Sequence, residues 1–548
     1  MNRADRLDLL CASALSILTI LSRLPYRTRI PYNWDAVQFA LALSEYDIAK
    51  HQPHPPGYIL YVALGRLVNA WLADPTASYV ALAVAFSGLT TFVVYYLALT
   101  VYDRPTALAA AALMAVSPLS WFYGAVGLTY AGEALLASVV AYFAFRALRG
   151  SDTDAWLAAA YLGLAGGMRQ SILVLLFPLW LGSAVLGSRR TRTVLVGLAI
   201  LAVAVLTWFL PMIWLTGGLA RYLEASRELA DTVVKPTSVV GGPLATTIRM
   251  SRYLLESLLV ALGPLALAVL LIPWYVRRHG WSAREWFLIG WTVPPVLVYT
   301  LVHFGQAGYA LTFLPALVIL LSHVLLRALS ALSLVASYPR LRSAVVAAVV
   351  ALLVLVNGAF FVSARPQARD FDAPRPAWLK RAHDEAFDWI FSRTAAALRE
   401  HEAVVRTFVA CIRGLFPPEE TAIITELGNP RSYPWLRHAM FYLPEYPIYE
   451  LRVGSPQLSY YAPRAAAAMR PEADVEIVLP PTVKRLVWFV DHWSPSAERP
   501  EGLDEIEIPH GRFLYALPVG REPIEYEGYT LVRETPPRAS SSPSATPR

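Results

Sequence analysis

Charge and cysteine are what this sequence lacks. Only 16% of its 548 residues are Asp, Glu, Lys or Arg, while 56% are apolar, more hydrophobic surface than one soluble core could bury. That balance argues against a soluble enzyme. The two cysteines, Cys11 in an apolar segment and Cys411 in a distant polar region, provide neither a disulfide framework nor a Cys-based metal site. Acidic residues are scarce in the first two thirds: residues 1–363 hold 25 Lys and Arg against 15 Asp and Glu, a net of +10, whereas residues 364–548 hold 22 against 25, a net of −3. A basic excess in a chain with many membrane spans is what the positive-inside rule produces. The pI near 9.2 is therefore no argument for nucleic acid, and no nucleic-acid partner is expected.

From Leu7 to Leu24 the chain is apolar except for Asp8 and Arg23, and no small-residue cleavage site follows, which predicts an uncleaved first membrane helix. Further stretches of spanning length lie near 77–101, 105–122, 130–148, 155–168, 171–187, 193–216, 253–274, 286–303, 309–326 and 343–363. With the first they make about eleven crossings. Segment 56–73 is short, begins Pro56-Gly57 and carries Arg66 and Asn69 in its middle. If it lies in the interface, the arginine-rich turns at Arg104, Arg146 and Arg149, Arg189 to Arg192, Arg277 to Arg284 and Arg327 to Arg342 all fall on the cytoplasmic side, with Arg3 and Arg6. The expectation is a polytopic α-helical membrane domain over 1–363 in the cell inner (plasma) membrane. Its N-terminus is cytoplasmic, and juxtamembrane helices fill the first outer loop.

An odd number of crossings leaves the remainder outside, and its composition is that of a different domain. Helical periodicity over about 376–414 and strand-like runs at 422–425, 486–490 and 529–532 predict an extracytoplasmic α/β domain over 364–533. Residues 534–548, rich in Ser and Pro, read as a disordered tail.

The first outer loop carries the densest chemistry: Tyr32-Asn33-Trp34-Asp35-Ala36-Val37-Gln38-Phe39, an amphipathic run, then His51-Gln52-Pro53-His54-Pro55-Pro56-Gly57-Tyr58. Asp35, between Trp34 and Phe39 at the membrane interface, suits a partly desolvated general base. An Asp at the head of a helix is equally an N-terminal cap, and the two roles are compatible. Glu133 is the sole acidic residue between Asp103 and Asp152 and stands at the outer end of an apolar segment. Ionisable groups at membrane depth are functional or paired, so Glu133 is either a second catalytic carboxylate or the partner of a buried arginine such as Arg169. Arg169, after Gly166-Gly167-Met168, reads as an exposed cation able to hold a phosphate, or as an interfacial side chain that snorkels.

His51 and His54 have an i, i+3 spacing, but the prolines between them exclude a regular helix and no third ligand is near in sequence. A metal site is disfavoured, although a divalent cation stays open as a cofactor. His54 reads better as a phosphate-facing or hydrogen-bonding group. The turn His303-Phe304-Gly305-Gln306-Ala307-Gly308-Tyr309 has two glycines that allow close backbone approach. It is either a binding turn or a tight helix–helix connection. Tyr222 to Val233 reads as an amphipathic surface helix. The run from Trp435 to Pro444 mixes aromatics with cations and could face a sugar or form a half-buried strand edge.

A first membrane helix, an outer loop with Asn33-Trp34-Asp35, the element His54-Pro55-Pro56-Gly57-Tyr58, a later acidic residue at an outer helix end and a trailing outer domain together resemble the GT-C superfamily. Its members are integral-membrane glycosyltransferases that use polyprenyl-phosphate sugars, among them protein O-mannosyltransferases and bacterial aminoarabinose transferases. The resemblance covers 1–363, is sharpest over 32–61, and points to the bacterial branch related to protein O-mannosyltransferases. It implies that Asp35 is the first-loop catalytic carboxylate and that Glu133 is the second acidic group. Where this family often has Lys before Pro-Pro, the chain has His54, and no Asp-Glu doublet follows Trp34. The expected activity is transfer of a sugar, with inversion, from a polyprenyl-phosphate donor to a hydroxyl of a lipid, glycan or protein acceptor. Asp35 would be the base, His54, Arg169 and Arg252 would flank the leaving phosphate, and Tyr58, His303, Gln306 and Tyr309 would line the substrate site. Two other classes remain open: a transporter or lipid flippase, with paired charges at the membrane midplane, and a non-catalytic glycan-binding partner.

Overall fold

The computed structural model describes residues 3–188, 190–239, 241–303, 305–332, 338–365, 392–429, 431–453, 459–462, 470–472, 475–495 and 497–534. The chain divides into two compact units, Met1–His401 and Glu402–Arg548.

The first unit is helical. In chain order its elements are α1 (Arg3–Arg23), α2 (Trp34–Ser44), α3 (Ile59–Leu72), α4 (Pro75–Val101), α5 (Arg104–Val116), α6 (Pro118–Tyr123), α7 (Tyr130–Leu148), α8 (Asp152–Met168), α9 (Ser171–Ser188), α10 (Thr191–Thr216), α11 (Leu219–Leu229), a single turn α12 (Lys235–Thr237), α13 (Leu244–Leu262), α14 (Ile272–His279), α15 (Ala283–Leu297), α16 (Leu314–Ala331) and α17 (Pro339–Ser363). Polar residues stand where the helices begin, because the first N–H groups of a helix lack partners. Asp74 and Asp103 accept from Ala77 and Thr106 backbone N–H groups at the heads of α4 and α5, and Ser282 with Glu285 closes a capping box at α15.

Among the described residues eight helical stretches are long and apolar enough to cross a membrane: α1, α4, α7, α10, the continuous run Leu244–His279, α15 with its extension to Val302, α16 and α17. The chain is a multi-pass membrane protein. Of the eleven crossings expected, the three at 105–122, 155–168 and 171–187 fall outside that length criterion. The stretch 105–122 is broken at Ser117-Pro118 into α5 of 13 residues and α6 of 6, α8 has 17 residues, and α9 has 18 with Pro178 inside it. At 1.5 Å per residue α8 and α9 reach about 26 and 27 Å, close to a hydrocarbon core of about 30 Å and within the range of about 17–25 residues that spans it. Helix α3, at 14 residues, reaches only about 21 Å, which suits the juxtamembrane reading. The amphipathic stretch expected from Tyr222 is α11. Inside the unit α4 packs against α1, α3, α5 and α7, and α8 against α7 and α10, around a core rich in alanine and tyrosine.

The helical periodicity expected over 376–414 lies outside the described residues up to 391; beyond them α18 (Ala395–Leu415) forms. The second unit is α/β. Its strands are β1 (Thr421–Leu427), β2 (Ile448–Arg452), β3 (Ser459–Ala462), β4 (Arg470–Glu472), β5 (Glu476–Leu479), β6 (Arg485–Trp488), β7 (Asp504–Ile508), β8 (Arg512–Pro518), β9 (Ile524–Tyr526) and β10 (Tyr529–Arg533), and they include the three runs expected from the sequence. A seven-stranded sheet has the order β4-β3-β2-β1-β6-β8-β7, with β1 parallel to β2 and to β6; a second sheet has the order β5-β10-β9. Central β1 is apolar and buried on both faces, as an interior parallel strand must be. The run after Trp435 is neither a strand edge nor an open sugar platform. Its Leu436, Ala439 and Met440 fall on one helical face, and α19 (Leu436–Tyr442) buries them together with Arg437 and His438. The tail expected at 534–548 lies, after Glu534, outside the described residues.

Candidate active site

Helix α2 is fastened at both ends. At its head the Asn33 side chain accepts the Ala36 N–H at 3.0 Å, so Asn33 is the cap. Asp35, one residue inside the first turn, is not. At its tail, Arg66 from α3 donates through Nε to the Leu43 carbonyl (3.1 Å) and through Nη2 to that of Ala42 (3.0 Å). An arginine in the middle of an apolar segment thus has a local cause: it satisfies the last carbonyls of α2 and faces the negative end of its dipole.

The loop from Asp47 to Tyr58 is equally well tied. Asp47 and Gln52 exchange backbone hydrogen bonds of 2.8 and 2.9 Å, the Gly57 N–H donates to the His54 carbonyl (3.1 Å), and the Tyr46 hydroxyl donates to the Gly57 carbonyl (2.8 Å). Gly57 has φ +114°, and a Cβ there would stand 2.5 Å from Ile48 Cδ1, so no other residue fits. This turn presents the His54 imidazole to α2. Nδ1 lies 2.6 Å from Gln38 Oε1 and 3.7 Å from Asp35 Oδ1, Nε2 lies 3.0 Å from the Tyr58 hydroxyl, and the ring packs on Phe39. Burial pushes the Tyr58 phenol up to about 12, so it keeps its proton at neutral pH. The Asp35 side chain is 28% exposed and accepts no hydrogen bond among the described residues. No three His, Cys, Asp or Glu side chains gather in a metal-binding group among the described residues.

Arg169 comes from the end of α8, and the structure corrects the expectation of an exposed cation: it is 8% exposed. An extended backbone at this C-cap turns the side chain inward, where Nη1 donates to Thr129 Oγ1 (2.9 Å), Nε to Ser171 Oγ (3.3 Å), and Nε lies 3.4 Å from Glu133 Oε2. The guanidinium stands over the rings of Tyr309, Tyr130 and Tyr58, at 4.6, 4.9 and 5.9 Å. Nη2 has no hydrogen-bond partner among the described residues. Glu133, in the first turn of α7 and 1% exposed, accepts the Thr312 hydroxyl on Oε1. It therefore has the arrangement of the second reading, partner of a buried arginine, and its depth disfavours direct contact with an acceptor.

The turn before α16 supplies the far wall. Tyr130 donates its hydroxyl to Gln306 Oε1 (2.7 Å), Tyr309 stacks on Tyr299 at 4.6 Å, and His303 meets Tyr309 edge-on at 5.3 Å. The close approach expected of its glycines occurs at Gly308, where a Cβ would come within 2.6 Å of the Tyr130 ring. Tyr58 joins the two halves of the site, with its hydroxyl on His54 and its ring beneath Arg169, and the charges of Arg169, Asp35 and Glu133 all act on it. Asp35, His54, Tyr58, Glu133, Arg169, Gln306, Tyr309 and His303 thus form one cluster. Arg252 is engaged elsewhere: on α13, half exposed, it pairs with Glu256 one turn on at 2.6 Å. Sequence reasoning missed Gln38, Thr129, Gln170 and Thr312. Gln38 carried a signal, lying one turn after Asp35 on the same face of α2. Gln170, whose Nε2 donates to the Pro56 carbonyl at 3.0 Å, stands next to Arg169.

A carboxylate open to one side, beside a caged guanidinium with an N–H pair still to be used, can take a proton from one group while stabilising negative charge on another. A family model described as the protein O-mannosyl-transferase TMEM260 N-terminal domain matches residues 44–193. Apo ArnT from Cupriavidus metallidurans is similar over 94% of this chain and 98% of its own at 14% identity, with a TM-score of 0.55. The same enzyme bound to undecaprenyl phosphate is similar over 82% of this chain and 86% of its own, also at 14% identity, with a TM-score of 0.53. No curated protein matches the chain by sequence. At this level of identity the likeness establishes the fold alone, which is that of ArnT.

Proposed function

We propose that the protein transfers a sugar from a polyprenyl-phosphate donor to an acceptor hydroxyl at the extracytoplasmic face of the inner membrane, inverting the anomeric centre, with Asp35 as general base. The observation that carries this reading is Asp35 itself. It is the head-of-helix carboxylate that capping leaves unused, it stays partly open, and it shares a cluster with a guanidinium that has a donor to spare. The fold shared with ArnT, the solved complex of ArnT with undecaprenyl phosphate and the match to a mannosyltransferase domain support the choice of donor. A polyprenyl chain remains in the bilayer, so the reacting carbon must be met at the depth where α2 begins.

In this scheme Asp35 accepts the hydroxyl proton of the acceptor as its oxygen attacks the anomeric carbon. The bond from that carbon to the phosphate oxygen breaks, and the electron pair leaves with polyprenyl phosphate. Arg169, through Nη2, stabilises the leaving phosphate. Glu133 acts through Arg169, and Tyr58, Tyr130 and Tyr309 hold the guanidinium in place and offer ring faces to a sugar. The proposal includes the division at about residue 363, with catalysis in 1–363 and an extracytoplasmic 364–533, and a cytoplasmic N-terminus. The Glu133–Arg169 pair sits at helix ends, which argues against the transporter alternative and its midplane pair.

The test is release of polyprenyl phosphate by purified protein in nanodiscs from a panel of radiolabelled polyprenyl-phosphate sugars with a native-membrane acceptor extract. Wild type should turn over at least one donor, and Asp35→Asn should lose about 10³-fold while still inserting. Activity retained in Asp35→Asn would overturn the base; no turnover of any donor would overturn the class.

A further inference from the structure

His54 was expected to face the donor phosphate, but both of its ring nitrogens are engaged within the protein. Gln38 Oε1 has lone pairs and no proton, so a contact of 2.6 Å requires the hydrogen on His54 Nδ1. Tyr58 keeps its phenolic proton and lies 3.0 Å from Nε2, which it can serve as donor. The imidazole is thereby fixed in one tautomer. Gln38 and Asp35 stand one turn apart on the same face of α2, so the Nδ1–H that points at Gln38 also leans toward Asp35 Oδ1, 3.7 Å away. Other charged and titratable groups facing this array are Arg169 and Glu133, beyond Tyr58, and the Tyr130 and Tyr309 hydroxyls.

We propose that His54 is a positioning residue for Asp35, held as its Nδ1–H tautomer between Gln38 and Tyr58, and is not a ligand of the donor phosphate. It orients the Asp35 carboxylate by its Oδ1, leaving Oδ2 for the acceptor hydroxyl. This rests on the reading of Asp35 as base.

Covalent geometry supplies the test, because an asparagine amide nitrogen overlays Nδ1 of a histidine whereas a glutamine amide nitrogen overlays Nε2. His54→Asn keeps the donor toward Asp35, and His54→Gln loses it. His54→Gln should lower kcat about 30- to 100-fold and His54→Asn less than about 10-fold, within the range of general-base effects. Binding of undecaprenyl phosphate, measured directly on the same nanodisc samples, should stay within about 2-fold for both. Gln38→Leu should resemble His54→Gln, and the double variant should cost little more than either alone. A phosphate ligand gives the opposite result: binding of undecaprenyl phosphate weakened more than about 10-fold, with kcat at saturating donor unchanged. That outcome, or His54→Gln more active than His54→Asn, overturns the proposal. Loss of activity in Asp35→Asn beside wild-type kcat in His54→Gln overturns it while the base stands, and activity in Asp35→Asn removes the base itself. Trypsin resistance of the folded variants excludes loss of fold as the cause.

Discussion

Breaking the pair between Glu133 and Arg169 should destabilise the helical unit more than any other single polar substitution at the site. Glu133 is 1% and Arg169 8% exposed, with Nε and Oε2 3.4 Å apart, so water screens neither charge. Glu133→Met leaves the guanidinium buried among three tyrosine rings and removes the acceptor of the Thr312 hydroxyl; Arg169→Met leaves a buried carboxylate without its cation. Each should cost about 3–5 kcal/mol, the usual effect of stripping one partner from a buried pair. Replacing both by methionine removes the unpaired charge, so the double variant should recover to within about 2 kcal/mol of wild type, a coupling of at least about 3 kcal/mol. Denaturant titration of purified protein in mixed micelles, followed by tryptophan fluorescence, measures all four corners of the cycle. Single variants as stable as wild type, or costs that simply add, would refute the reasoning. The double variant also separates stability from chemistry. It should be folded yet slowed about 100-fold or more in sugar transfer, because the cation facing the leaving phosphate is gone; if it transfers sugar at the wild-type rate, Arg169 has no part in catalysis.

Other expectations follow from single contacts. Gly308→Ala puts a methyl group 2.6 Å from the Tyr130 ring, which must move off Arg169 and Gln306; a loss of about 1–3 kcal/mol in the same titration and a lower kcat are expected, and wild-type values for both would show the turn to be pliable. Arg66→Ala removes two hydrogen bonds from the tail of α2, so amide exchange over 36–44 should quicken by about 10-fold or more and kcat should fall, whereas unchanged exchange would mean that Asn33 alone holds the helix. In the second unit, burial pushes the Glu450 carboxyl from its ordinary 4.5 up to about 8 despite nearby Arg437 and Arg452. A folded-state pKa above the unfolded one means stability fully present below about 4.5 and falling as pH rises toward 8, by at most about 1.4 kcal/mol per pH unit. Glu450→Gln should flatten that slope in hydrogen-exchange protection of β1 and β2 between pH 5 and 8, and an unchanged slope would exclude Glu450 as its source.

The parts of this protein that local chemistry dictates were legible in its sequence. Apolar length marked the membrane helices: eight of the eleven expected stretches form helices of spanning length, and at Ser117-Pro118 a run that hydropathy alone reads as continuous is broken into two. Strand-like runs of β-branched and aromatic residues marked β1, β6 and β10 in the second unit. Asp35 stood out because acidic residues are rare beside a membrane and aromatics flank it. The partnership of each polar group was not legible, because it is settled across long separations. Thr129 and Arg169 are 40 residues apart, and Glu133 and Thr312 are 179 apart. Gln38 looked like any polar residue of an amphipathic helix until His54, 16 residues on, was folded against it.

That difference explains why the first-loop carboxylate, and not Glu133, is the better candidate for chemistry. Helix ends gather polar residues for their own sake, since N–H and carbonyl groups there need partners, and Asn33, Asp74, Asp103 and Arg66 all serve that need. Membrane depth makes a second demand, that a buried charge be paired, and Glu133 and Arg169 answer it for each other. A carboxylate that meets neither demand is left with weaker reasons to be there, here the positive end of the α2 dipole. Asp35 caps nothing, accepts no hydrogen bond among the described residues, and keeps more than a quarter of its side chain open while its neighbours on α2, from Ala36 to Ala42, are buried. Asn33 and Arg66 fasten the two ends of its helix, and Gln38 and Tyr58 fasten the histidine beside it. Four residues are thereby ordered around one part-exposed carboxylate that accepts no hydrogen bond among the described residues, which is the arrangement the proposed base requires.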